Sequence, residues 1–238
     1  MNEFAQSARS ALDLIVHADV TLVRTVTLSL VVSGTACLFA AGLGLLGGAW
    51  LAVARFPGLR AVLLLLNTLL ALPSVVVGLV VYLLLSRSGP LGNWGILFTP
   101  SAMVIAQTIL VVPLVAALAR QTVADGLRDG GDPLRSLGAG PLLAALLMLL
   151  HERWAVVTIL LTAFGRAIAE VGAVMIVGGN IEGVTRVMTT TIALETSKGD
   201  LPLALALGLV LLAVVGLLNI AIGLVQRSRY ASVVVRPR

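Results

Sequence analysis

The sequence predicts an all-α membrane protein with about five transmembrane helices. Of its 238 residues, 59% are hydrophobic and 11% are charged, against roughly a half and a quarter in soluble proteins. The charges fall between long apolar stretches, so a water-soluble fold of this size could not cover its surface. Crossing the hydrocarbon core takes about 20 apolar residues as a helix, because the backbone must satisfy its own hydrogen bonds there.

Four uncharged stretches are long enough for this, at residues 25–54, 61–86, 88–119 and 201–226. The third is expected to span only from about its middle, because residues 88–100 are rich in the turn residues Gly, Pro and Asn. A fifth span, at about 154–177, is apolar except for Arg166 and Glu170. Gly44 and Gly48 form a small-xxx-small pair in the first span, which is typical of close helix contact.

Two prolines, Pro73 and Pro113, lie within the second and third spans. Proline removes a backbone donor and clashes with the preceding turn, so both are expected to interrupt their helices or kink them.

The loop charges orient these spans. Five spans put the termini on opposite sides, and with the C-terminus inside, the inner segments hold ten basic residues: Arg55, Arg60, Arg120, Arg128, Arg135, Arg153, Arg227, Arg229, Arg236 and Arg238. The outer segments hold five: Arg9, Arg24, Arg87, Arg186 and Lys198. The positive-inside rule therefore predicts an external N-terminus and a cytoplasmic C-terminus.

This topology divides a single transmembrane domain, 1–238, into named segments. Residues 1–24 precede the first span, and Phe4, Ala8, Leu12 and Ile15 share one helical face, so we expect this segment to lie along the interface. Residues 120–153 form a long cytoplasmic loop, residues 178–200 an external loop, and residues 227–238 a cytoplasmic tail.

The residue inventory argues against an enzyme and against a bound metal or cofactor. The chain has one cysteine, Cys37, and two distant histidines, His17 and His151, so no metal cluster is expected. Its only lysine, Lys198, does not precede Ser or Thr, which excludes a phosphate-binding P-loop. The net charge of +5 comes from basic residues at span ends, which is typical of a membrane protein and not of a nucleic-acid-binding surface.

The cytoplasmic loop contains a helix signal at Asp132. Aspartate caps free N–H groups, Pro133 suits a first helical turn, and Gly138 would end the helix. The segment is either a simple connection or a short helix that docks in a groove of a cytoplasmic partner. It resembles the Glu-Ala-Ala-x-x-x-Gly segment of ABC importer permeases, with Asp132 for the glutamate and with His151 where that family continues with proline.

A second segment resembles the permeases of tungstate ABC importers closely and those of molybdate importers more loosely. It comprises residues 163–180 (AFGRAIAEVGAVMIVGGN), 185–191 (TRVMTTT) and 195–200 (ETSKGD). The resemblance implies a type I importer permease fold in the plasma membrane, assembled as a homodimer with two ATP-binding subunits and an external substrate-binding protein. By the same resemblance, Asp132, Leu134, Arg135, Ser136, Leu137 and Gly138 form the ATPase-coupling site.

The charged pair in the fifth span is a candidate for the translocation pathway. Arg166 and Glu170 are four residues apart, on one helical face, so they can pair. Charges within a membrane mark either a pathway or a protein interior. Arg166 could attract an oxyanion while Glu170 limits its affinity, or the two could neutralise each other and fix helix packing. Glu170 could instead contact the ATPase-driven gate.

Uncharged donors follow this span. Asn180, Thr189, Thr190 and Thr191 could donate hydrogen bonds to an oxyanion at the external mouth, or they could be ordinary turn residues.

The sequence thus predicts the membrane-spanning subunit of an ATP-driven oxyanion importer, with tungstate as the expected cargo. The same machine carrying molybdate or sulfate is the first alternative. A membrane scaffold that recruits a cytoplasmic protein through residues 125–140 is a second alternative. An intramembrane hydrolase has no identifiable nucleophile here.

Overall fold

The structure, a computed structural model, describes residues 9, 12–13, 15–17 and 19–234. Across these residues the regular structure is helical and contains no strand, which confirms the predicted fold class. The helices are α1 (Val20–Val53), α2 (Leu59–Leu70), α3 (Ser74–Leu85), α4 (Pro100–Gly130), α5 (Asp132–Ser136), α6 (Pro141–His151), α7 (Arg153–Ile168), α8 (Gly172–Gly178), α9 (Met188–Lys198) and α10 (Leu201–Val234).

Among the described residues, three helices are long and apolar enough to cross a membrane by themselves, namely α1, α4 and α10. Two interrupted pairs, α2 with α3 and α6 with α7, would each supply a further span, giving up to five. Large apolar side chains such as Leu38, Leu43 and Leu212 are exposed. Since exposed apolar surface on this scale suits lipid and not water, the helices are those of a multi-pass membrane protein.

The interruptions partly correct the predicted spans. The second span breaks before Pro73, whose φ of −63° and ψ of 126° make it the extended N-cap of α3. Pro113, by contrast, lies inside α4 without ending it. The prediction of one continuous fifth span at about 154–177 was wrong, because α7 ends at Ile168 and α8 begins only at Gly172. In addition, α6 meets α7 at a bend of 77°.

The predicted connections contain more helix than expected. Residues 120–153 are not an open loop: they hold the end of α4, then α5 and α6. Residues 178–200 likewise contain α9, and α1 and α10 include residues 20–24 and 227–234. Of the predicted interfacial face, Phe4 and Ala8 lie outside the described residues.

The chain clusters into two compact units. Unit 1 contains residues 1–36, 73–107 and 166–217, and unit 2 contains residues 37–72, 108–165 and 218–238. Unit 2 has a core of small and apolar side chains from α1, α4 and α6, including Ala49, Ala119 and Met148. Gly44 and Gly48 pack directly on α4: a Cβ at Gly48 would lie 2.4 Å from the carbonyl oxygen of Ala116. The predicted small-xxx-small contact is confirmed.

Unit 1 carries the helix break between α7 and α8. Its buried side chains include Met103, Val177, Met188 and Leu207. The backbone N–H of Met188 donates to the Ser29 hydroxyl at 2.8 Å, which fixes the start of α9 against α1. Unit 1 is therefore where the charged pair and the threonines of the sequence analysis lie.

Candidate functional site

The centre of the candidate site is the Glu170 carboxylate, at the break between α7 and α8. The residue is only 4% exposed, yet the carboxylate has three partners. Arg166 Nη1 donates to Oε2 at 2.8 Å, the backbone N–H of Ala173 donates to Oε1 at 3.2 Å, and the Ser74 hydroxyl hydrogen-bonds to the same group. The predicted Arg166–Glu170 pairing is confirmed, but it spans a helix end and not a continuous helix.

Glycines on α3 and α8 allow these partners to meet. A Cβ at Gly78 would lie 2.8 Å from the Cα of Ala173, and a Cβ at Gly172 would lie 2.8 Å from the Ser74 hydroxyl oxygen. Neither position can hold a larger residue without displacing its neighbour. The two helices therefore approach closely enough for Ser74, on α3, to reach a carboxylate beside α8.

Buried side chains donate hydrogen bonds to two backbone carbonyls at the break. Thr189 Oγ1 donates to the carbonyl of Glu170 at 2.8 Å. Gln107, which is 3% exposed, donates from Nε2 to the carbonyl of Ala167 at 3.0 Å. The carbonyl of Ala167 also accepts from the backbone N–H of Glu170 at 3.1 Å, so Gln107 adds a second bond there. Because buried carbonyls need hydrogen-bond partners, both side chains stabilise the break.

The other two threonines act locally in α9. The Thr190 hydroxyl accepts from the N–H of Val187 at 3.1 Å, and both Thr190 and Thr191 donate to the carbonyl of Val187, at 3.1 and 2.7 Å. All three threonines are buried. Each hydroxyl hydrogen is already bonded to the backbone, so donation to an anion would require breaking one of these bonds.

Asn180 lies in the turn after α8. It has a positive φ of 50°, next to Gly179 at 68°. Its backbone carbonyl accepts from Arg186 Nη2 at 3.4 Å, and Thr185 ties the same turn to the carbonyl of Gly178 at 2.5 Å. The structure thus gathers Arg166, Glu170 and Thr189 around the break and places Asn180 in the turn that follows.

Sequence reasoning missed Ser74, Gln107 and Thr185. Gln107 could have been identified from the sequence, because a glutamine inside an apolar span indicates a buried amide that must form hydrogen bonds. Ser74 has no such signal: its role depends on the approach of α3 to α8.

The predicted coupling segment forms the short helix α5, which begins at Asp132 as predicted. Ser136 Oγ donates to the carbonyl of Asp132 at 3.0 Å. Leu134 packs against the core of unit 2, whereas Leu137 is 83% exposed. Gly138 has a φ of +77° with open space around it. Leu134 therefore anchors one side of the segment, and the apolar side chain of Leu137 is exposed on the other.

A groove of about 900 Å³ lies beside α5. Pro133 and Leu134 line one side, and its polar lining includes Asp125, Asp129, His151 and Glu152. Asp125 of this lining also pairs with Arg128. His151, which departs from the family's proline, is thus a groove residue. No group of three potential metal-binding side chains occurs in the part of the chain that the structure describes.

Comparison with known proteins extends over nearly the whole chain. No family model matches it. The chain is 42% identical over 231 residues to a tungstate uptake system permease of Peptoclostridium acidaminophilum, covering 96% of this chain and 100% of the relative. It is 43% identical over 199 residues to a probable anion ABC transporter permease of Haloferax volcanii, covering 82% and 86%.

A tungstate uptake system permease of Campylobacter jejuni is 36% identical over 211 residues, covering 89% of this chain and 88% of the relative. Less similar relatives include permeases named for molybdenum and sulfate transport. Identity at this level over most of both chains establishes a common family. The chain belongs to the family of ABC-transporter anion permeases that includes the tungstate uptake permeases.

Proposed function

We propose that this chain is the membrane-spanning subunit of an ATP-driven importer of tungstate. The observation that carries the proposal is the 42% identity over 96% of the chain to a tungstate uptake permease. The fold suits the task, since it combines membrane-length helices with interrupted ones whose ends lie among buried polar groups. Interrupted helices are the usual means by which transporters place backbone polar groups along a path.

Energy must come from another subunit. Moving an anion inward against an inside-negative potential costs about 2.3 kcal/mol per charge per 100 mV, and about twice that for a dianion. The chain has no P-loop of its own, so we assign ATP hydrolysis to a cytoplasmic partner. A passive pore for such a cargo would conduct it outward.

The partner is proposed to dock on α5 and the residues after it. Leu134 anchors the segment, while Leu137 and Gly138 face outward. An exposed leucine beside an open glycine suits a shallow groove on another protein, because it adds apolar contact without steric bulk. Asp132 and Ser136 hold the helix in shape, and Arg135 is the basic residue of the same segment. ATP-driven closure of two partner subunits would then pull residues 120–140 of two copies of this chain.

The charged pair is proposed to act on the translocation pathway. The side chain of Arg166 is about half exposed, whereas that of Glu170 is buried. An exposed guanidinium can attract an oxyanion, and a carboxylate 2.8 Å away prevents the anion from binding too tightly for release. Thr189 would support this site through the carbonyl of Glu170 at the break. Thr190, Thr191 and Asn180 would support it from the start of α9 and from the turn after α8. Packing by mutual neutralisation is the competing role for the pair.

The assembly and its orientation are part of the same proposal. The predicted orientation, with ten basic residues on the inner segments and five on the outer, favours a cytoplasmic C-terminus and an external 178–200 segment. An external binding protein would deliver the oxyanion on that outer side. The receiving assembly would be a symmetric homodimer of this chain, in line with the symmetry of most oligomers formed by a single chain.

The test is cargo uptake into proteoliposomes that contain this chain, its ATPase and its binding protein. Tungstate, molybdate and sulfate are supplied in competition, with and without ATP. We expect ATP-dependent tungstate accumulation that excess sulfate does not displace. Accumulation of molybdate or sulfate instead would move the cargo assignment within the family. Absence of any anion uptake by the assembled complex would refute the transport proposal and leave the scaffold alternative.

A further inference from the structure

A small pocket in unit 1 contains two arginines that the proposed mechanism does not use. We call it the two-arginine pocket; its polar and charged lining comprises Thr21, Arg24, Thr25, Glu182, Gly183 and Arg186. Its volume is about 100 Å³, against roughly 300–1,000 Å³ for pockets that bind organic ligands. A pocket of this size excludes organic cofactors and admits a small ion.

Arg186 is largely buried and incompletely bonded. Its side chain is 16% exposed. Nη1 donates to Glu182 Oε2 at 3.2 Å, Nη2 donates to the carbonyl of Asn180 at 3.4 Å, and Nε is buried with no hydrogen-bond partner. A guanidinium has five donors, and leaving one unpaired in a buried position is costly. The bonds that are made are long, so donor capacity remains for a ligand.

Arg24 reaches the same pocket from α1. Its Nη2 donates to the carbonyl of Gly183 at 2.5 Å. Gly183 has a φ of +71°, and a Cβ there would lie 3.0 Å from Arg24 Nη1. The glycine thus lets the guanidinium lie against the turn, which brings a second positive charge to a pocket that already contains Arg186.

The charge balance favours an anion. Two guanidiniums and one carboxylate leave a net charge of +1, and the side chain of Glu182 is 77% exposed. An exposed carboxylate is well solvated and contributes little pairing energy. Incoming oxygen atoms can therefore displace Glu182 from Arg186 at small cost, and Glu182 can compete for Arg186 again when the anion leaves.

We propose that the two-arginine pocket binds a small divalent oxyanion through Arg24 and Arg186, as a receiving site separate from the Arg166–Glu170 pair. The proposal rests on the proposed function, because it takes the cargo of the importer as its ligand. Guanidinium forks match the spacing of tetrahedral oxyanion oxygens, whereas an ammonium provides only a point charge. With residues 178–200 outside, the pocket would receive the anion from the binding protein.

The experiment measures binding to the permease without its binding protein. The complex of this chain with its ATPase is placed in phosphatidylcholine nanodiscs and titrated with sodium tungstate against sodium chloride, followed by calorimetry and by thermal unfolding. We expect saturable binding that Arg24→Ala and Arg186→Ala weaken by about tenfold or more, one charge-assisted contact each. Arg186→Lys should restore only part of the affinity. Glu182→Gln should tighten binding, because it removes the competing carboxylate.

Arg87→Ala is the matched control, since Arg87 is an exposed arginine on the same predicted side. The pocket assignment is refuted if the wild-type complex shows no saturable binding, or if Arg186→Ala binds as well as wild type. If the Arg186→Ala variant does not fold, a tungstate affinity of Glu182→Gln equal to that of the wild type also refutes the pocket assignment. The thermal unfolding is repeated in nanodiscs that also contain phosphatidylglycerol, and stabilisation by this lipid but not by tungstate would refute the oxyanion assignment in favour of a lipid headgroup.

Uptake with the binding protein present is measured in parallel. Normal ATP-driven tungstate uptake without binding to the isolated complex overturns the pocket alone. Absence of both tungstate binding and ATP-driven tungstate uptake overturns the proposed function as well.

Discussion

Arg166 Nη1 lies 2.8 Å from Glu170 Oε2, yet the side chain of Arg166 is 48% exposed and that of Glu170 is 4% exposed. The two members of the pair therefore have different environments. The carboxylate is buried and depends on its three donors, whereas about half of the Arg166 side chain is exposed at the surface of the chain. Removing one partner is thus not equivalent to removing the other.

Arg166→Ala should destabilise the protein and reduce uptake, because it takes one donor from a buried carboxylate. We expect a loss of about 1–3 kcal/mol in the free energy of unfolding, as for a buried polar group left unsatisfied, towards the lower end because the guanidinium is half exposed. Adding Glu170→Gln should recover most of the stability, since a neutral amide oxygen can still accept from Ala173. Thermal unfolding in detergent and proteoliposome uptake check both variants. Equal uptake loss in the single and double variants would favour direct contact between Arg166 and the anion.

Thr189→Val should destabilise the helix break. The valine keeps the shape but leaves the carbonyl of Glu170 without its 2.8 Å hydroxyl donor, at a cost of about 1 kcal/mol or more. Thr189→Ser, which keeps the hydroxyl, is the control and should lose less. Denaturation of the purified protein measures the difference. A Val variant with unchanged stability but weaker anion binding would instead assign the hydroxyl to the cargo.

Gly48→Ala should destabilise unit 2, whereas Gly47→Ala should not. A Cβ at Gly48 would lie 2.4 Å from the carbonyl oxygen of Ala116, while one at Gly47 has nothing within 4 Å. Overpacking costs about 1–3 kcal/mol, and alanine in an open helical position gains about 0.5–1 kcal/mol over glycine. Thermal unfolding of the two variants should therefore shift in opposite directions. Shifts of the same sign and size would contradict the close contact of α1 with α4.

Gly138→Arg should uncouple ATP hydrolysis from transport. The position faces open space, so the added side chain blocks the partner and not the fold. Because the φ of +77° also disfavours an ordinary residue, Gly138→Asn serves as the control: asparagine tolerates this conformation and is small. ATPase activity and uptake are measured on the same reconstituted complex. Coupled uptake at the wild-type rate in the Arg variant would contradict docking at this site.

The elements that the sequence predicted well are those decided by local chemistry. The prolines and glycines of residues 88–100 predicted that the third span begins late, and its helix begins at Pro100. Asp132 and Pro133 predicted the start of α5, and Gly44 with Gly48 predicted a close helix contact. The Arg166–Glu170 pair followed from spacing alone. Each depends on residues within about one helical turn or on the size of a single side chain.

The elements that it missed depend on tertiary contacts. Gly165 and Gly172 weaken the helix preference of residues 163–173 only modestly, and the break after Ile168 is stabilised by Gln107 and Thr189, which are distant in sequence. Three consecutive β-branched threonines similarly gave no sign of α9. That helix forms because burial against α1 and its own hydroxyl bonds compensate for a weak intrinsic preference.

The length of α4 has a consequence for where its partner binds. Its 31 residues correspond to about 46 Å at 1.5 Å per residue, whereas the hydrocarbon core of a bilayer is about 30 Å thick. The apolar part ends near Ala119, so with that part in the hydrocarbon core the turns from Arg120 onward correspond to on the order of 15 Å of helix beyond the core. On that placement a water-soluble partner can reach α5 from the aqueous side without inserting a segment of its own into the hydrocarbon core.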